Sequence, residues 1–398
     1  MKILVVGSGG VGSSVAAIAS ERNFFESMTL VDIDIDRANK AIAGLDSRFT
    51  SGVANASDIN DLIRVISESG ADVVLNACDP RFNPPIFDAC LSSKVTYIDM
   101  AMHLSEPNSQ DPYNKTGKKL GDDQFSQHDS WVQAGVLALV GMGVEPGLSD
   151  VFAKYASSEL FESIDEIGVR DGSNLVIEGY DFAPTFSIWT TIEECLNPPL
   201  IWEKEKGFYT TAPFSEKEVF NFPDGIGDVE CVNVEHEEVV LIPKYIDCNR
   251  VTFKYGLGDE FIEVLRVLNK TGLDSKETVS VRGVDVSPRD VVAAALPNPA
   301  DLGHLMKGKT CAGTWVKGIA KDGSEKEVYL YHVLDNDYSM QRWGHQAVVA
   351  QTAINPVIAM ELIANGTWSG VGVLGPEYFE AKAFLDLLNE YDCPWGLR

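Results

Sequence analysis

Residues 2–14 read KILVVGSGGVGSS, a short apolar run that leads directly into a cluster of glycines. Gly7, Gly9 and Gly12 fit the pattern G-x-G-x-x-G. In a dinucleotide-binding fold the first glycine permits a tight turn, the second admits the pyrophosphate, and the third lets helix and strand pack closely. Because a predicted strand precedes the glycines and a predicted helix follows them, the pattern favours a dinucleotide site over a turn without a ligand.

An acidic residue stands where this kind of fold contacts the ribose. Asp32 lies twenty residues after Gly12, at the end of the second predicted strand, 27–34. A carboxylate there accepts hydrogen bonds from the ribose hydroxyls and repels a 2′-phosphate, so it favours NAD over NADP. Arg37, five residues further on, is the residue type that accommodates such a phosphate, and NADP is therefore the alternative.

The first part of the chain alternates short apolar runs with helical segments. Strands are predicted at 2–7, 27–34, 52–57, 71–78, 95–101 and 136–143, and helices at 12–21, 36–45, 58–69, 84–93 and 125–134. Repeated strand–helix–strand units with continuously apolar strands predict a parallel, doubly wound Rossmann sheet in an α/β fold. We assign residues 1–147 to this domain.

Beyond residue 147 the pattern changes to an α+β arrangement. Helices are predicted at 149–160 and 259–272, and strands at 165–172, 218–222, 229–235, 250–257, 313–321 and 326–335. This order predicts a second domain, 148–345, with a mixed or antiparallel sheet. Residues 346–398 are expected to form C-terminal helices that return to the first domain. The first of them lies in an apolar stretch, 345–365, and is expected to be interrupted at Pro356.

The composition of the 398 residues is that of a globular protein with an acidic surface. The chain has 32 Lys and Arg against 59 Asp and Glu, a formal charge of −27, so nucleic-acid or membrane binding is not expected. Its seven scattered cysteines form no C-x-x-C pair, as in reduced cytoplasmic proteins. Because neither a signal peptide nor a long uninterrupted apolar stretch is evident, we expect a cytoplasmic protein without a membrane span.

The carboxyl ends of the later strands carry the second group of candidates, because ligands of open α/β sheets bind at that edge. Asn76, Ala77 and Cys78 are expected to run under the cofactor. The further residues expected to contact it are Ser8, Gly10, Val11, Ile33, Ser57, Ala101, Gly143 and Pro146.

Four ionisable residues near the same edge are the catalytic candidates, namely Asp99, His103, Glu145 and Asp150. The last two belong to VGMGVEPGLSD, 140–150, where Pro146 holds Glu145 extended and disfavours a simple helix cap. Each of the others has a structural alternative. Asp99 is suited to cap the following helix, His103 to a solvated loop, and Asp150 to the first turn of a helix, where a carboxylate complements the dipole.

Other sequence motifs argue against a metal site and against several classes of enzyme. In EHEE, 235–238, His236 stands among three carboxylates, but no matching ligands stand at metal spacing, so we predict a surface strand and no metal site. The chain contains no G-x-S-x-G, H-E-x-x-H or G-K-[ST] motif. Hydrolase, zinc-enzyme and nucleotide-kinase functions therefore lack support.

Several segments together resemble the saccharopine dehydrogenase-like family. GSGGVG is followed by VVLNACDP, YIDMA and, above all, GMGVEPGLSDVFAKYA at 141–156, in that family's order and spacing. LPNPADLG at 296–303, KGKTCAGTWVKG at 307–318 and GTWSGVGVLGPEYF at 366–379 look most like the carboxynorspermidine dehydrogenase branch. The resemblance covers nearly the whole chain and is weakest at 170–215.

The resemblance implies an NAD(P)-dependent oxidoreductase that transfers hydride at a C–N bond of an amino acid or a polyamine-derived amine. It implies saccharopine, carboxynorspermidine or lysine as substrate, and a homodimer paired through the second domain. Carboxylates at the strand ends suit a cationic amine, while Arg250 and His345 are candidates for holding a substrate carboxylate. Asp150 and the segment CDPRFN, 78–83, depart from the family's pattern, which leaves the particular amine open.

Two other functions are compatible with the sequence. One is a dinucleotide-binding sensor or scaffold of the same fold that has lost turnover. The other is a hydroxy-acid or sugar dehydrogenase that uses His103 as its base. Turnover of an amine excludes the first, and retained activity after replacing His103 with Asn excludes the second.

Overall fold

A computed structural model describes all 398 residues, and its first part is a parallel sheet flanked by helices. The elements are β1 (Lys2–Val6), α1 (Gly10–Ser20), β2 (Ser27–Asp32), α2 (Ile35–Ala41), β3 (Phe49–Val53), α3 (Ile59–Ser69), β4 (Val73–Asn76), α4 (Asn83–Ser93), β5 (Thr96–Asp99), α5 (Asp122–Ser126), α6 (His128–Ala134) and β6 (Leu137–Leu139). The strand order β3-β2-β1-β4-β5-β6 confirms the predicted Rossmann sheet. Its central strands are buried throughout, which explains their continuously apolar sequences.

The second part is built on a mixed sheet, as predicted. Its elements are α7 (Leu148–Tyr155), β7 (Phe161–Ser173), β8 (Val176–Ile177), α8 (Ile188–Leu196), β9 (Leu200–Glu203), β10 (Gly207–Thr210), β11 (Glu218–Phe222), β12 (Gly227–Asn233), α9 (Glu238–Tyr245), β13 (Cys248–Tyr255), α10 (Asp259–Thr271), β14 (Val279–Val281), β15 (Val284–Val286), α11 (Pro288–Ala295), β16 (Met306–Lys307), β17 (Lys309–Ala320) and β18 (Glu325–Asp335). Within the sheet β13 and β7 are parallel, whereas β7, β17 and β18 are antiparallel neighbours.

The C-terminal segment contacts both sheets. It contains α12 (Asn336–Trp343), α13 (Ala347–Ala364), β19 (Gly372–Leu374), α14 (Ala381–Glu390) and β20 (Trp395–Leu397). β19 pairs with β6 as a seventh parallel strand, and β20 pairs with β18. α13 packs against α1, and Arg22 joins Glu361 across these helices at 2.7 Å. The segment therefore ties the two sheets together.

α13 corrects the expected interruption at Pro356, because the helix continues through that residue. Most of its residues are buried on all sides, so tertiary packing offsets the backbone hydrogen bond that proline cannot donate. α13 is long and apolar enough to cross a membrane, but 78% of that stretch is buried inside the protein. It is accordingly a core helix.

One continuous hydrophobic core connects the two halves of the molecule. A single cluster of buried apolar side chains includes Val5 and Leu75 of the first sheet, Val169 and Val316 of the second, and Ile354 of α13. Because the cluster is uninterrupted, the two sheets are held in a fixed relation. The cleft between them is thereby given a definite shape.

Candidate active site

The glycine-rich loop joins β1 to α1 with almost no room for side chains. A Cβ at Gly12 would lie 1.9 Å from the Gly7 carbonyl oxygen, and a Cβ at Gly7 would lie 2.7 Å from that of Ala77. Gly7 also has a φ of +101°, a conformation that residues with a side chain rarely adopt. The turn itself therefore requires these two glycines.

Gly9 is a glycine for a different reason. It is the exposed N-cap residue of α1, and a Cβ there would meet no atom within 4 Å. The first turn of α1 has neither a capping side chain nor an acidic residue, so its N–H groups are available to an anion. Open space at a helix N-terminus fits the pyrophosphate of a dinucleotide.

Asp32 is fixed at the end of β2 beside this loop. Its Oδ2 accepts a hydrogen bond from the Ser8 backbone N–H at 3.0 Å, and its Oδ1 lies 3.3 Å from Arg37 Nη1. Asp32 is buried, whereas 55% of the Arg37 side chain is exposed. The carboxylate is thus placed to accept ribose hydroxyl groups, with an exposed guanidinium next to it.

A cavity of about 600 Å³ begins at the glycine-rich loop and extends between the two sheets. The predicted cofactor contacts that line it are Gly10, Val11, Asn76, Ala77, Cys78, Ala101 and Pro146. Its acidic and basic side chains are Asp79, Asp99, Glu145, Glu194 and His236, and neither lysine nor arginine lines it. A wall of this composition favours a cationic ligand beside the dinucleotide.

Asp99, at the end of β5, is held by three hydrogen bonds. Its Oδ1 accepts from the Gly141 backbone N–H at 2.6 Å, and its Oδ2 accepts from Gln124 Nε2 at 2.7 Å and Tyr97 Oη at 2.9 Å. Burial raises the pKa of Asp99 to about 7 against the effect of these donors. The carboxyl group lines the cavity, but its two oxygens are already used to fix the neighbouring strands.

Glu145 extends from the loop before α7 into the cavity wall. Burial, followed by the charge of Asp171 on β7, raises the pKa of Glu145 well above its usual range. The two carboxyl groups therefore share a proton, as adjacent buried carboxyls do. Glu145 Oε2 is enclosed by the protein and has no hydrogen-bond partner in it.

Residues 235–238 do not form the predicted surface strand, and that prediction was wrong. All four are buried, and Glu238 begins α9. His236 Nδ1 lies 2.6 Å from Glu238 Oε2 and 3.4 Å from Glu237 Oε2. Burial alone would lower the pKa of His236, but the surrounding carboxylates outweigh it and raise the pKa to about 10. A charged imidazolium thus balances carboxylates that would otherwise require solvent.

The three side chains His236, Glu237 and Glu238 are also close enough together to hold a metal ion. The 2.6 Å contact is, however, a charge-assisted hydrogen bond, and it gives the carboxylates a cation of their own. We therefore interpret the cluster as an ion pair that faces the cavity.

Glu194 on α8 lines the same cavity as His236, and the two groups interact electrostatically. Its carboxylate has no hydrogen-bond partner in the protein, and it lines the cavity. Burial is the main reason that its pKa rises to about 8, while His236 acts in the opposite direction. A carboxylate that is open to the cavity and partly desolvated is a suitable partner for an ammonium group.

Asp150 lies outside the cavity, in the first turn of α7. Its Oδ2 accepts a hydrogen bond from the Gly147 backbone N–H at 2.7 Å, as the helix-end alternative requires. Burial and the neighbouring Glu377 raise the pKa of Asp150 well above its usual range. The pair joins α7 to the segment before α14 and does not face the substrate space.

Three further predicted residues are not brought to the cavity. The His103 ring packs edge-on against Phe87, 5.5 Å between centroids, and burial lowers its pKa to about 4. Arg250 on β13 pairs with Glu216 at 2.7 Å, and half-buried His345 lies between α12 and α13. Proximity in sequence to a strand end did not decide where these side chains point.

The remaining predicted cofactor contacts lie beside the cavity rather than in its wall. Ser8 and Gly143 are buried, and Ser8 contributes its backbone N–H to Asp32. Ile33 is 69% exposed directly after β2, and Ser57 is exposed after β3.

Sequence analysis missed several residues of the site. Trp189, Thr190 and Glu194 of α8, Tyr255 of β13, and the segment 293–300 all line the cavity. The only sequence evidence for any of them was LPNPADLG, whose Pro299 and Ala300 cover the glycine-rich loop. A Cβ at Gly10 would lie 3.1 Å from Ala300 Cβ, which shows how closely this segment approaches.

The raised pKa values predict a stability that falls with pH. Asp99 and Glu235 have a pKa of about 7 and Glu194 of about 8, all raised chiefly by burial. Unfolded carboxyl groups titrate near 4, so between these values the native protein binds more protons than the unfolded chain. His236, with its raised pKa, acts in the same direction.

The ligand-free protein should therefore have a Tm about 5 °C lower at pH 8.5 than at pH 6.5. Scanning calorimetry over that interval measures the difference. The interval avoids more acidic pH values, at which two buried histidines act in the opposite direction. His103 and His332 have pKa values of about 4, so there they bind fewer protons in the native protein than in the unfolded chain. A Tm that rises across the interval would contradict the assignment of these buried carboxyl groups.

Comparison with known proteins agrees with this geometry. Residues 3–139 match the family model of the saccharopine dehydrogenase NADP binding domain, and residues 143–393 match that of the saccharopine dehydrogenase C-terminal domain. The chain is 30% identical to carboxynorspermidine synthase of Vibrio cholerae serotype O1, over 100% of this chain and 97% of that protein. It is 28% identical to carboxyaminopropylagmatine dehydrogenase of Synechocystis sp., over 99% and 96% of the two chains.

A solved structure shares the fold. Apo saccharopine dehydrogenase (L-Glu forming) from Saccharomyces cerevisiae superposes with a TM-score of 0.68 at 14% identity, over 100% of this chain and 99% of that one. The family models, the relatives and the dinucleotide cradle agree on an NAD(P)-dependent oxidoreductase that acts on amines. The chain belongs to the saccharopine dehydrogenase family.

Proposed function

We propose that this protein forms or oxidises the secondary amine of a carboxylated polyamine, of the carboxynorspermidine or carboxyaminopropylagmatine kind. The observation that carries the proposal is the cavity wall, which contains one histidine and four carboxyl groups but no lysine or arginine, and of the four only Asp79 is paired with a guanidinium, that of Arg81. A substrate with several amino groups and one carboxylate is cationic at neutral pH, and it complements such a wall.

Saccharopine fits the same wall poorly. It carries more carboxylates than amino groups and is anionic at neutral pH, so it requires cationic side chains for recognition. The arginine predicted for this purpose, Arg250, is engaged with Glu216 outside the cavity. Lysine is cationic, but it offers fewer amino groups to the acidic wall than a polyamine does.

Different residues bind the cofactor and the substrate, at the two ends of the cavity. The N-terminus of α1 and Asp32 hold the dinucleotide at one end, while Glu194 receives an ammonium group at the other. When bound, the nicotinamide donates or accepts the hydride. The protein fixes the distance between the reacting atoms and keeps the amine in a desolvated, acidic environment.

We infer a preference for NAD over NADP from Asp32. Its buried carboxylate is fixed by the Ser8 N–H and would repel a 2′-phosphate placed at the ribose. Arg37 is already paired with that carboxylate at 3.3 Å, which reduces what the guanidinium offers to a phosphate.

A panel of amines assayed with each cofactor tests both proposals. Carboxynorspermidine, carboxyaminopropylagmatine and lysine are supplied with NAD⁺ or NADP⁺, and formation of the reduced cofactor is followed by its absorbance. We expect the two carboxylated polyamines to react with a higher kcat/KM than lysine, and NAD⁺ to exceed NADP⁺. Cofactor binding without turnover of any amine would instead indicate a sensor, and a clear preference for NADP⁺ would contradict the role of Asp32.

We further propose that the protein acts in the cytoplasm as a homodimer. All seven cysteines are free, as in a reducing compartment. Half-buried Phe220, Trp315 and Tyr331 form an aromatic patch on the second sheet that suits pairing of two copies. Light scattering tests this pairing, and the mass of a single chain would exclude it.

A further inference from the structure

We propose that His236 is the proton donor to the substrate nitrogen, and that Glu238 is the residue that positions it. The inference concerns the proton that accompanies hydride transfer to any C–N bond. It therefore needs the amine oxidoreductase activity, but not the particular polyamine proposed above.

The imidazole is fixed in one orientation. Its ring stacks on Phe253 with 3.8 Å between centroids and an angle of 8° between the planes. Nδ1 is bound to Glu238 Oε2 at 2.6 Å, and Ser149 Oγ donates to Glu238 Oε1 at 2.7 Å. Because Nδ1 is engaged by a carboxylate, Nε2 is the atom left for exchange with a ligand.

Nε2 is accessible from the cavity. It makes no hydrogen bond to the protein, and it is not enclosed by protein atoms. The residue itself is only 4% exposed, and it lines the cavity together with Glu194. The open face of Nε2 is therefore the cavity, where the reacting amine has to lie.

The other ionisable groups of the wall are less suited to this step. Both oxygens of Asp99 are occupied by donors from the protein. Glu145 shares its proton with Asp171, and the Glu194 carboxylate is needed as an acceptor for the ammonium group. His236 combines a fixed ring, an unengaged N–H and a carboxylate that stabilises its charged form, which is the arrangement of a base held by an orienting group.

In the reducing direction the imine receives a proton from His236 and a hydride from the cofactor. The imine nitrogen gains the proton that Nε2 loses, the imine carbon gains the hydride from NAD(P)H, and the C=N double bond becomes a single bond. The products are a secondary amine and a neutral imidazole, which regains its proton from water. In the oxidising direction the neutral imidazole removes the proton from the amine.

The charge state of His236 depends on every element packed around it. The ionisable groups that face it are Glu238 on α9, Glu237 just before that helix, Glu194 on α8 and Asp171 on β7. Together they hold the pKa of the imidazole at about 10, despite the opposing effect of burial. The group is therefore charged and able to donate a proton at neutral pH, and this ability is lost as the pH rises through that value.

Two variants and one control test the proposal. With His236→Asn, kcat for imine reduction should fall by at least about 100-fold, as for loss of a general acid. The Kd values of cofactor and amine, measured by calorimetry, should change less than threefold. With Glu238→Gln, the alkaline limb of the kcat profile should move to lower pH by about 1 to 3 pH units. His304→Asn, at an exposed histidine, should leave kcat and the alkaline limb of its pH profile unchanged.

A measurement on the ligand-free protein supports or refutes the same account without turnover. The ¹⁵N resonances of the six histidine rings, followed through a pH titration, should show one ring that titrates near pH 10. That ring should be lost in His236→Asn and titrate at lower pH in Glu238→Gln. If His236→Asn does not fold, the proposal is tested by the pH profile of kcat in Glu238→Gln and by the histidine titration of the wild type.

A folded His236→Asn variant with kcat within about threefold of the wild type would overturn the proposal. So would a Glu238→Gln variant with a lowered Tm but an unmoved alkaline limb, because that is the result of a purely structural ion pair. Either result leaves the polyamine substrate untouched, since the amine panel tests that separately.

Discussion

Replacing Gly9 with valine should weaken NAD(H) binding by at least about 100-fold, or about 2.8 kcal/mol, while Tm changes by less than about 2 °C. The position is exposed, its φ and ψ of −71° and −159° suit a side chain, and no atom lies within 4 Å of the added Cβ. The new methyl groups occupy the space into which the pyrophosphate has to approach. Calorimetric titration and a thermal melt measure the two effects.

Gly12→Ala is the matched control for this variant. Its Cβ would lie 1.9 Å from the Gly7 carbonyl oxygen, so the turn between β1 and α1 has to distort and the melt should occur at a clearly lower temperature. One glycine thus serves the ligand and the other serves the fold. Wild-type affinity in Gly9→Val would show that the dinucleotide does not lie over this loop.

Replacing Glu194 with glutamine should raise KM for a carboxylated polyamine by about 10- to 100-fold and change kcat much less. The carboxylate has no partner in the protein and faces the cavity, so its loss removes a charge-assisted hydrogen bond to the ammonium group. Such a bond contributes about 1.5 to 3 kcal/mol. Steady-state kinetics at saturating cofactor separate the two parameters.

Glu205→Gln, at an exposed glutamate without an ion pair, is the control for the change of residue type. In the wild type, polyamine affinity should increase between pH 7 and pH 9, because burial holds the pKa of Glu194 at about 8 and only the ionised form attracts the amine. A Glu194→Gln variant that retains the wild-type KM and pH dependence would remove this residue from the binding site.

The first sheet was predictable because its determinants are local. Most of its first six strands are short apolar runs beside a helix, and the glycine pattern stands between β1 and α1, where its function requires it. The exception is β3, whose sequence FTSGV is only partly apolar, and it lies at Phe49–Val53 rather than at the predicted 52–57. The seventh strand, β19, was not predictable. It is only three residues long and joins the sheet more than 200 residues after β6, so no periodic pattern of apolar residues predicts it.

The acidic wall was only partly predictable. Glu145 was identified from its position after a strand and before a proline, but Glu194 and His236 come from segments far apart in sequence. EHEE suggested solvent exposure because an isolated charged segment costs free energy when buried. In the structure the positive charge of His236, inside the same segment, offsets that cost. The position of the imidazole depends on residues of other elements, because Phe253 stacks on its ring and Ser149 fixes its partner Glu238.

Side-chain direction accounts for the remaining differences. Asp150 and His103 follow strand ends as expected, yet one caps α7 and the other packs against Phe87. Residue number along a loop does not define which way a side chain points, since the tertiary partners decide it. The same applies to Pro356, which stays helical because α13 is enclosed by the core.

The ratio of kcat/KM for carboxynorspermidine to that for saccharopine, measured at saturating NAD⁺, shows whether the acidic wall selects the substrate. A cavity with four carboxyl groups and no lysine or arginine should favour the cationic substrate by at least about 100-fold, because the carboxylates of the anionic one find His236 as the only cationic side chain in the wall. Glu194→Gln should reduce that ratio. Equal values, or a preference for saccharopine, would contradict the conclusion that the acidic wall selects the amine.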